Sequence, residues 1–395
     1  MSVQTAKRLE TVEEYYFSRK LREVRALAAS GKPILNMAIG SPDLDPPKEV
    51  VKAIQEGVMV TGAHKYQSYQ GIPELRQSMV DFYASKYKVS LNPENEILPL
   101  MGSKEGIMHI SLAYLNEGDE VLIPNPGYPT YTSVSRLVGA NPVYYDLTRD
   151  SNWEPDLENL SKNDLSKVKL MWINYPHMPT GAPGDTNLFK KLIAFAKTHD
   201  IILINDNPYS FILNDTPTSI LSVEGAKEVA LELNSLSKTF NMAGWRVGMV
   251  SGSKDKIEAI LKVKSNMDSG MFQGIQKGAI AALTIADNWY ADMNAIYKSR
   301  RGLIWELASL LGCTFDKNAI GMFVWAKLPE GIDAMEFIDD ILYQDSVFIT
   351  PGNIFGSNGE GYIRFSLCVT QENIKEALRR LKNRGVQFAN NNKVN

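Results

Sequence analysis

This chain is short of cysteine, histidine, net charge and long apolar runs, and each shortage argues against a class of function. Cys313 and Cys368 are its two cysteines in 395 residues. They lie far apart and without metal-ligand spacing, so they read as small buried hydrophobes rather than as a disulfide framework or a thiolate site. The four histidines, at 64, 109, 177 and 199, show no metal-binding spacing either, and no metal is expected. A net charge of −3 gives no case for nucleic acid or an anionic membrane as the main partner. No apolar run approaches roughly 18 residues, so no membrane span is expected. The opening MSVQTAKRLE is polar and lacks the apolar centre of a signal peptide. Together these features predict a cytoplasmic protein. Repeats and low-complexity stretches are also missing, apart from the polar tail Asn390 to Asn395.

The chain is long enough to bury a large core, and its 44% hydrophobic and 22% charged residues are ordinary for a globular fold. Residues 13–29 carry a helical pattern, with Tyr16, Leu21, Val24 and Leu27 on one side. The stretch Pro42 to Pro47 reads as a connector. From 48 to 285, short apolar strands alternate with helical segments. The strands are Glu120–Ile123, Pro142–Tyr145, Val168–Ile173, Ile201–Asn205, Ala230–Leu233 and Val247–Val250. This alternation predicts an α/β fold with a mostly parallel central sheet covered by helices, whose ligands sit at the carboxyl ends of the strands. From 286 the pattern changes. A long helix, Asp287 to Leu311, precedes short strands at Met322–Ala326, Val347–Ile349 and Tyr362–Ser366 and helices near Ala334–Leu342 and Gln371–Asn383. The expected division is therefore an N-terminal segment, 1–47, packing with a smaller α+β domain, 286–395, beside a large domain, 48–285.

The most informative stretch is Ser235-Leu236-Ser237-Lys238-Thr239, followed by Arg246. Lys238 stands between hydroxyls on an expected loop between two buried strands, where an unpaired ammonium is costly. A lysine that can form an imine, beside Ser235, Ser237 and Arg246 as a grip for a phosphate dianion, is the equipment for pyridoxal phosphate. Asp206 follows an expected strand; it reads either as the partner of a protonated pyridine nitrogen or as part of an Asp-Asn-Pro turn. Tyr209, three residues on, reads as a donor to the ring oxygen or as a half-buried tyrosine. Gly102-Ser103-Lys104-Glu105-Gly106 opens a helical stretch, Ile107–Leu115, and offers free N–H groups to an anion or a plain helix start. Asn125-Pro126-Gly127-Tyr128-Pro129 is a rigid turn that either lays Tyr128 on an aromatic ring or carries it incidentally.

With these pieces in order, the chain resembles the class I/II aminotransferases, fold type I of the pyridoxal-phosphate enzymes, over nearly its whole length. The resemblance implies a transaminase that moves an amino group from an amino acid to a 2-oxo acid by a ping-pong mechanism, with Lys238 as Schiff-base lysine and general base. Asp206 and Tyr209 would hold the ring nitrogen and oxygen, and Tyr128 would stack on the ring. Ser103, Lys104, Ser235, Ser237 and Arg246 would hold the phosphate. Arg364, in Tyr362-Ile363-Arg364-Phe365-Ser366, matches the arginine that clamps the substrate α-carboxylate, and its planar fork suits that task. Gly40, in Ala38-Ile39-Gly40-Ser41-Pro42, matches the glycine whose backbone approaches the same group. Tyr66 matches a tyrosine that reaches the phosphate of a neighbouring subunit, which implies a homodimer with shared sites.

One departure stands out. Met178-Pro179-Thr180-Gly181 replaces the usual Asn-Pro-Thr-Gly, and a thioether donates no hydrogen bond. The ring oxygen is expected to lose a donor, raising the imine pKa above the family norm unless Asn174 or water compensates. The stretches Gly102–Gly106, Asn174–Gly181 and Ser265–Gln276 are similar to bacterial diaminopimelate- and aspartate-type aminotransferases. Tyr15, Tyr16, Lys65, Gln67 and Met271 are candidates for the side-chain pocket. The alternative on the same fold is a carbon–sulfur β-lyase. A cofactor-sensing regulator would carry a DNA-binding extension, for which there is no room before residue 40.

Overall fold

The computed structural model describes residues 3–12, 14 and 16–385, so Tyr15 and the tail Asn390 to Asn395 lie outside the described residues. Among the described residues thirteen strands follow one another: β1 Leu35–Asn36, β2 Ile97–Leu100, β3 Glu120–Asn125, β4 Asn141–Asp146, β5 Val168–Ile173, β6 Ile202–Asp206, β7 Ala230–Ser235, β8 Gly248–Gly252, β9 Thr314–Phe315, β10 Phe323–Lys327, β11 Val347–Phe348, β12 Thr350–Pro351 and β13 Tyr362–Ser366. The central sheet has seven of them, in the order β2-β8-β7-β6-β5-β3-β4. Strands β4, β3, β5, β6 and β7 run parallel, whereas β8 is antiparallel to both β7 and β2. β2 carries Pro99 and escapes a reading that treats proline as a strand breaker.

The inner parallel strands β3, β5, β6 and β7 are largely buried on both faces, as a sheet covered on both sides requires, whereas β4 is a partly exposed edge. Successive side chains alternate between the faces. Leu170, Trp172, Ile204, Leu231 and Leu233 pack in one cluster with Ile107 and Ile110 of helix Ser103–Tyr114 and with Ile257 and Ile260 of helix Lys254–Lys264. Met171, Ile173 and Leu203 enter the other cluster, with Leu188, Phe189 and Leu192 of helix Thr186–His199. Asn205 and Glu232 are register partners on that second face, and Glu232 is a fully buried carboxylate. It accepts hydrogen bonds from Tyr83, Ser219, Asn205 and the Ile220 N–H, which is how a buried anion is tolerated.

A second, antiparallel sheet has the order β12-β13-β10-β9. It places Arg364 of β13 opposite Trp325 of β10 and Thr350 of β12. The long helix Asn288–Leu310 packs on helix Gln371–Arg384. Strand β1 pairs in parallel with β11, and helix Tyr16–Ala29 puts Phe17 and Val24 against Leu342 and Phe348. Lys238 is not on a loop: it lies in the short helix Leu236–Thr239, capped by the Ser235 hydroxyl, which accepts from the Ser237 N–H at 3.1 Å. Both cysteines are buried and free. Among the described residues no helix is long and apolar enough to cross a membrane.

The start of helix Ser103–Tyr114 is seated directly on β8. A Cβ added at Gly248 would lie 2.7 Å from the Ser103 nitrogen and 2.9 Å from the Asn234 oxygen, both backbone atoms that cannot swing aside. Gly248→Ala is therefore expected to destabilise the protein by about 1–3 kcal/mol, the usual scale of overpacking. Gly244→Ala, with nothing within 4 Å of the added carbon, should stay within about 0.5 kcal/mol of the wild type. Thermal or urea denaturation of the two variants measures both.

Candidate active site

The parallel strands end together at a cavity of about 450 Å³. Asp206 is the last residue of β6 and Ser235 the last of β7, while Asn174 directly follows β5. The position is the one expected for a ligand in an open α/β sheet. Gly40, Ser103, Lys104, Tyr128, Asp206, Tyr209, Ser235, Ser237, Lys238, Arg246 and Arg364 all line this cavity. Tyr66 does not: its side chain is 91% exposed in the isolated chain. Of the described side-chain-pocket candidates, Tyr16 lines a neighbouring cavity that shares Tyr128 and Phe355, and Lys65, Gln67 and Met271 line neither.

One end of the cavity is built for an anion. Helix Ser103–Tyr114 begins there, and its N-cap, Gly102, contributes no side-chain cap, so first-turn N–H groups face the space. Gly102 has φ +91°, and a Cβ on it would fall 2.1 Å from Arg246 Nη2; the absent side chain is what lets the guanidinium come close. Arg246 itself takes a left-handed conformation, φ 58°, and is tethered through Nη1 to the Ala243 carbonyl at 3.1 Å. Burial, reinforced by Arg246, lowers the Lys104 pKa.

The other end holds a buried acid. Asp206 Oδ2 accepts from the Tyr131 hydroxyl at 2.9 Å, whereas Oδ1 has no hydrogen-bond partner among the described residues. Burial pushes the carboxyl up to about 6, against the opposing pull of Tyr131. Tyr131 is held by stacking on Trp172, centroids 4.9 Å apart and planes within 6°. Such a half-satisfied buried carboxylate fits a cationic ring nitrogen, and the anion seat at the opposite end fits a phosphate. The donor set therefore suits pyridoxal phosphate at both ends.

Between them, Lys238 Nζ donates to the Gly40 carbonyl, and burial lowers its pKa, with Arg364 and Arg246 acting the same way. Asn174, which also lines the cavity, has one amide hydrogen and its oxygen engaged by backbone. Its amide NH₂ donates to the Asp206 carbonyl, and its oxygen accepts from the Met178 N–H at 2.9 Å. Tyr209, whose pKa burial raises, is the hydroxyl left on that side.

Arg364 is held in an aromatic cage that sequence reading missed. Its guanidinium carbon lies 4.0 Å from the Phe323 centroid, 4.7 Å from Phe355 and 5.6 Å from Phe17. Nη2 donates to the Ala38 carbonyl at 2.9 Å, and Nη1 contacts the Met178 sulfur at 3.3 Å. These partners come from five separate segments, so no local spacing could reveal them; Tyr131, 75 residues from Asp206, was hidden for the same reason. The structure also gathers Glu105, His109 and Asp268, which have no motif spacing, with ligand atoms within 4.8 Å. The Lys264 ammonium already sits 2.7 Å from Asp268 in that cluster.

The comparisons with known proteins agree with this geometry. Residues 32–381 match the family model for aminotransferase class I and II. An LL-diaminopimelate aminotransferase of Halothermothrix orenii is 40% identical over 388 residues, covering 98% of this chain and all of that protein. One from Aquifex aeolicus is 38% identical, covering 95% and 98%. Among solved structures, apo-BacF of Bacillus subtilis superposes with a TM-score of 0.93 at 36% identity, over 97% of this chain and 98% of that one. The aspartate aminotransferase of Thermus thermophilus with maleate gives 0.90 at 26% identity, over 97% and 100%. The chain thus belongs to the class I and II aminotransferases, fold type I enzymes that use pyridoxal phosphate to move an amino group between amino acids and 2-oxo acids.

Proposed function

We propose that Lys238 is the base of this transamination and that the other cavity residues divide into a cofactor seat and a carboxylate clamp. The observation that carries the reading is the convergence of Lys238, the half-satisfied Asp206 and the caged Arg364 on one cavity. When bound, the cofactor supplies the carbon that receives the amino group and a cationic ring that draws off the electrons left by the α-proton. Asp206, ionised, keeps that ring charged, and Tyr209 donates to its oxygen. Tyr128 covers one face of the ring. Ser103, Ser235, Ser237, Arg246 and the Lys104 backbone N–H hold the phosphate. Arg364 and the Gly40 backbone orient the α-carboxylate so that the α-proton points at Lys238. Lys238, whose pKa burial lowers toward that of a useful base, removes that proton and returns it; with the 2-oxo acid the same steps run in reverse.

The active form in this reading is a cytoplasmic homodimer in which Tyr66 of one subunit reaches the phosphate site of the other. Its exposure in the isolated chain supports that role. Residues 48–285 and 286–395, the latter joined by 1–47, act as the two bodies between which the substrate sits. The names of the relatives make LL-diaminopimelate the first donor to test, followed by glutamate and aspartate.

Adding each amino acid to the cofactor-loaded protein without a 2-oxo acid should convert the visible absorbance band in one turnover for the true donor. Pyruvate released over many turnovers would assign the chain to the lyases instead. Lys238→Ala should abolish the conversion.

The cofactor-free protein should show a pH signature of Asp206 and Glu232, each raised to about 6. Between about pH 4 and 6 the folded state holds protons that the unfolded state has released. Stability should therefore fall as pH rises through this window and level off above it. Asp206→Asn, read by thermal midpoint, should flatten part of the slope.

Met178→Asn should restore a donor beside Tyr209. The pH midpoint of the visible absorbance change in the loaded enzyme should then move down; an unmoved midpoint would leave the thioether without a role in tuning.

A further inference from the structure

The segment 36–45 forms one wall of the cavity, through Ile39, Gly40 and Ser41; it contains Pro42 and is followed directly by Pro46 and Pro47. At its beginning it is tied to the strand that carries Arg364: Ser366 N–H donates to the Met37 carbonyl at 2.8 Å, and Arg364 donates to the Ala38 carbonyl. Gly40 lies flat on Phe323, since a Cβ there would fall 2.4 Å from that ring. Towards its far end the segment is held by an ion pair at Asp43 and by Asn241 Nδ2, which donates to the Asp45 carbonyl at 3.1 Å. Arg300, on the long helix Asn288–Leu310, grips Asp43 with both arms, Nη1 to Oδ1 at 2.7 Å and Nη2 to Oδ2 at 2.8 Å.

The same guanidinium reaches the second half of the clamp. Arg300 Nη1 also donates to the Leu367 carbonyl at 2.9 Å, one residue beyond β13 and three beyond Arg364. The arginine side chain is 5% exposed and packs 5.8 Å from the Tyr297 ring centroid. A bidentate, buried pair of this kind is directional and resists sliding. Its two partners, Asp43 and Leu367, lie on the two separate stretches that present Gly40 and Arg364.

We propose that the Asp43–Arg300 pair is a positioning device for carboxylate recognition: it sets the spacing between the Gly40 backbone and the Arg364 guanidinium. Neither residue lines the cavity, and neither touches substrate; they act through the elements they join. The inference rests on the reading of Arg364 and Gly40 as the clamp.

The test uses the cofactor-loaded enzyme and two unreactive carboxylates as probes, maleate and 3-phenylpropionate, with affinities measured by calorimetry. Asp43→Asn keeps the shape and one acceptor, and Arg300→Lys keeps the charge but loses the fork. Each should weaken both probes by about tenfold and raise the donor KM similarly, with kcat at saturation changed by less than about threefold. The visible spectrum and its pH titration should not move, because the cofactor seat is untouched. The double variant should be scarcely worse than either single one, as for residues acting as a unit. Arg364→Lys separates the two levels of the argument. If it abolishes probe binding while Asp43→Asn and Arg300→Lys lower only the thermal midpoint and keep probe affinity within about twofold, the pair is merely structural and the proposal falls. If Arg364→Lys leaves probe binding intact, the clamp reading itself fails and the proposal goes with it.

Discussion

The site depends on an acid that the fold has deliberately left half-paired: Asp206, at the buried end of β6. An ionised carboxylate in such a place is costly unless something positive faces it. Tyr131 satisfies one oxygen, and Trp172 prevents that tyrosine from moving to satisfy the other. The remaining oxygen has no partner among the described residues, so a cationic group bound in the cavity would find an acceptor there and would stabilise the ionised carboxylate. Burial raises the carboxyl to about 6, and a cation placed beside it would lower that value again and favour the ionised form. Glu232, one strand away, shows the contrasting solution. It is equally buried but served by hydrogen bonds at both oxygens, and it faces the other side of the sheet.

The parallel sheet makes this arrangement possible because it delivers side chains from distant sequence to one edge. Asn174, Asp206 and Ser235 are strand-end neighbours in space, though some thirty residues apart in the chain. Their backbones are fixed by apolar strands buried on both faces, so each functional side chain inherits the rigidity of the core. The anion seat uses the same economy. Gly102 and Gly248 lack the side chains that would hold Arg246 and the helix N-terminus away from one another.

Much of this was legible in the sequence. The alternating strands gave β3 to β8 to within a few residues, because a doubly covered strand has to be an apolar run. The Lys238 segment stood out because an unpaired ammonium is expensive between buried strands, whereas Asp206 read equally as part of a turn and Arg364 was reached through the family resemblance. Three things were less visible. β2 was obscured by Pro99, tolerated because β2 pairs with β8 alone at the sheet's edge. Lys238 was expected on a loop, whereas a single capped helical turn presents it. The cage around Arg364 and the Tyr131 contact to Asp206 are long-range packing facts with no local periodicity to announce them.

The carboxylate side of the cavity shows how a departure from a motif can be absorbed. At 178 the chain has a methionine, and its sulfur lies against Arg364 rather than being left without a neighbour. Three phenylalanine rings surround the same guanidinium, an environment that favours a planar, delocalised cation over a compact ammonium. A soft sulfur acceptor suits that setting, since it fills space and satisfies a donor weakly. A weak contact is also one that an incoming carboxylate can readily replace. Ala38, by contrast, holds the other arm with a full-strength carbonyl bond. Arg364 is thereby anchored through Nη2 to a backbone carbonyl, while its contact with Met178 through Nη1 is a weak one of the kind a carboxylate outcompetes.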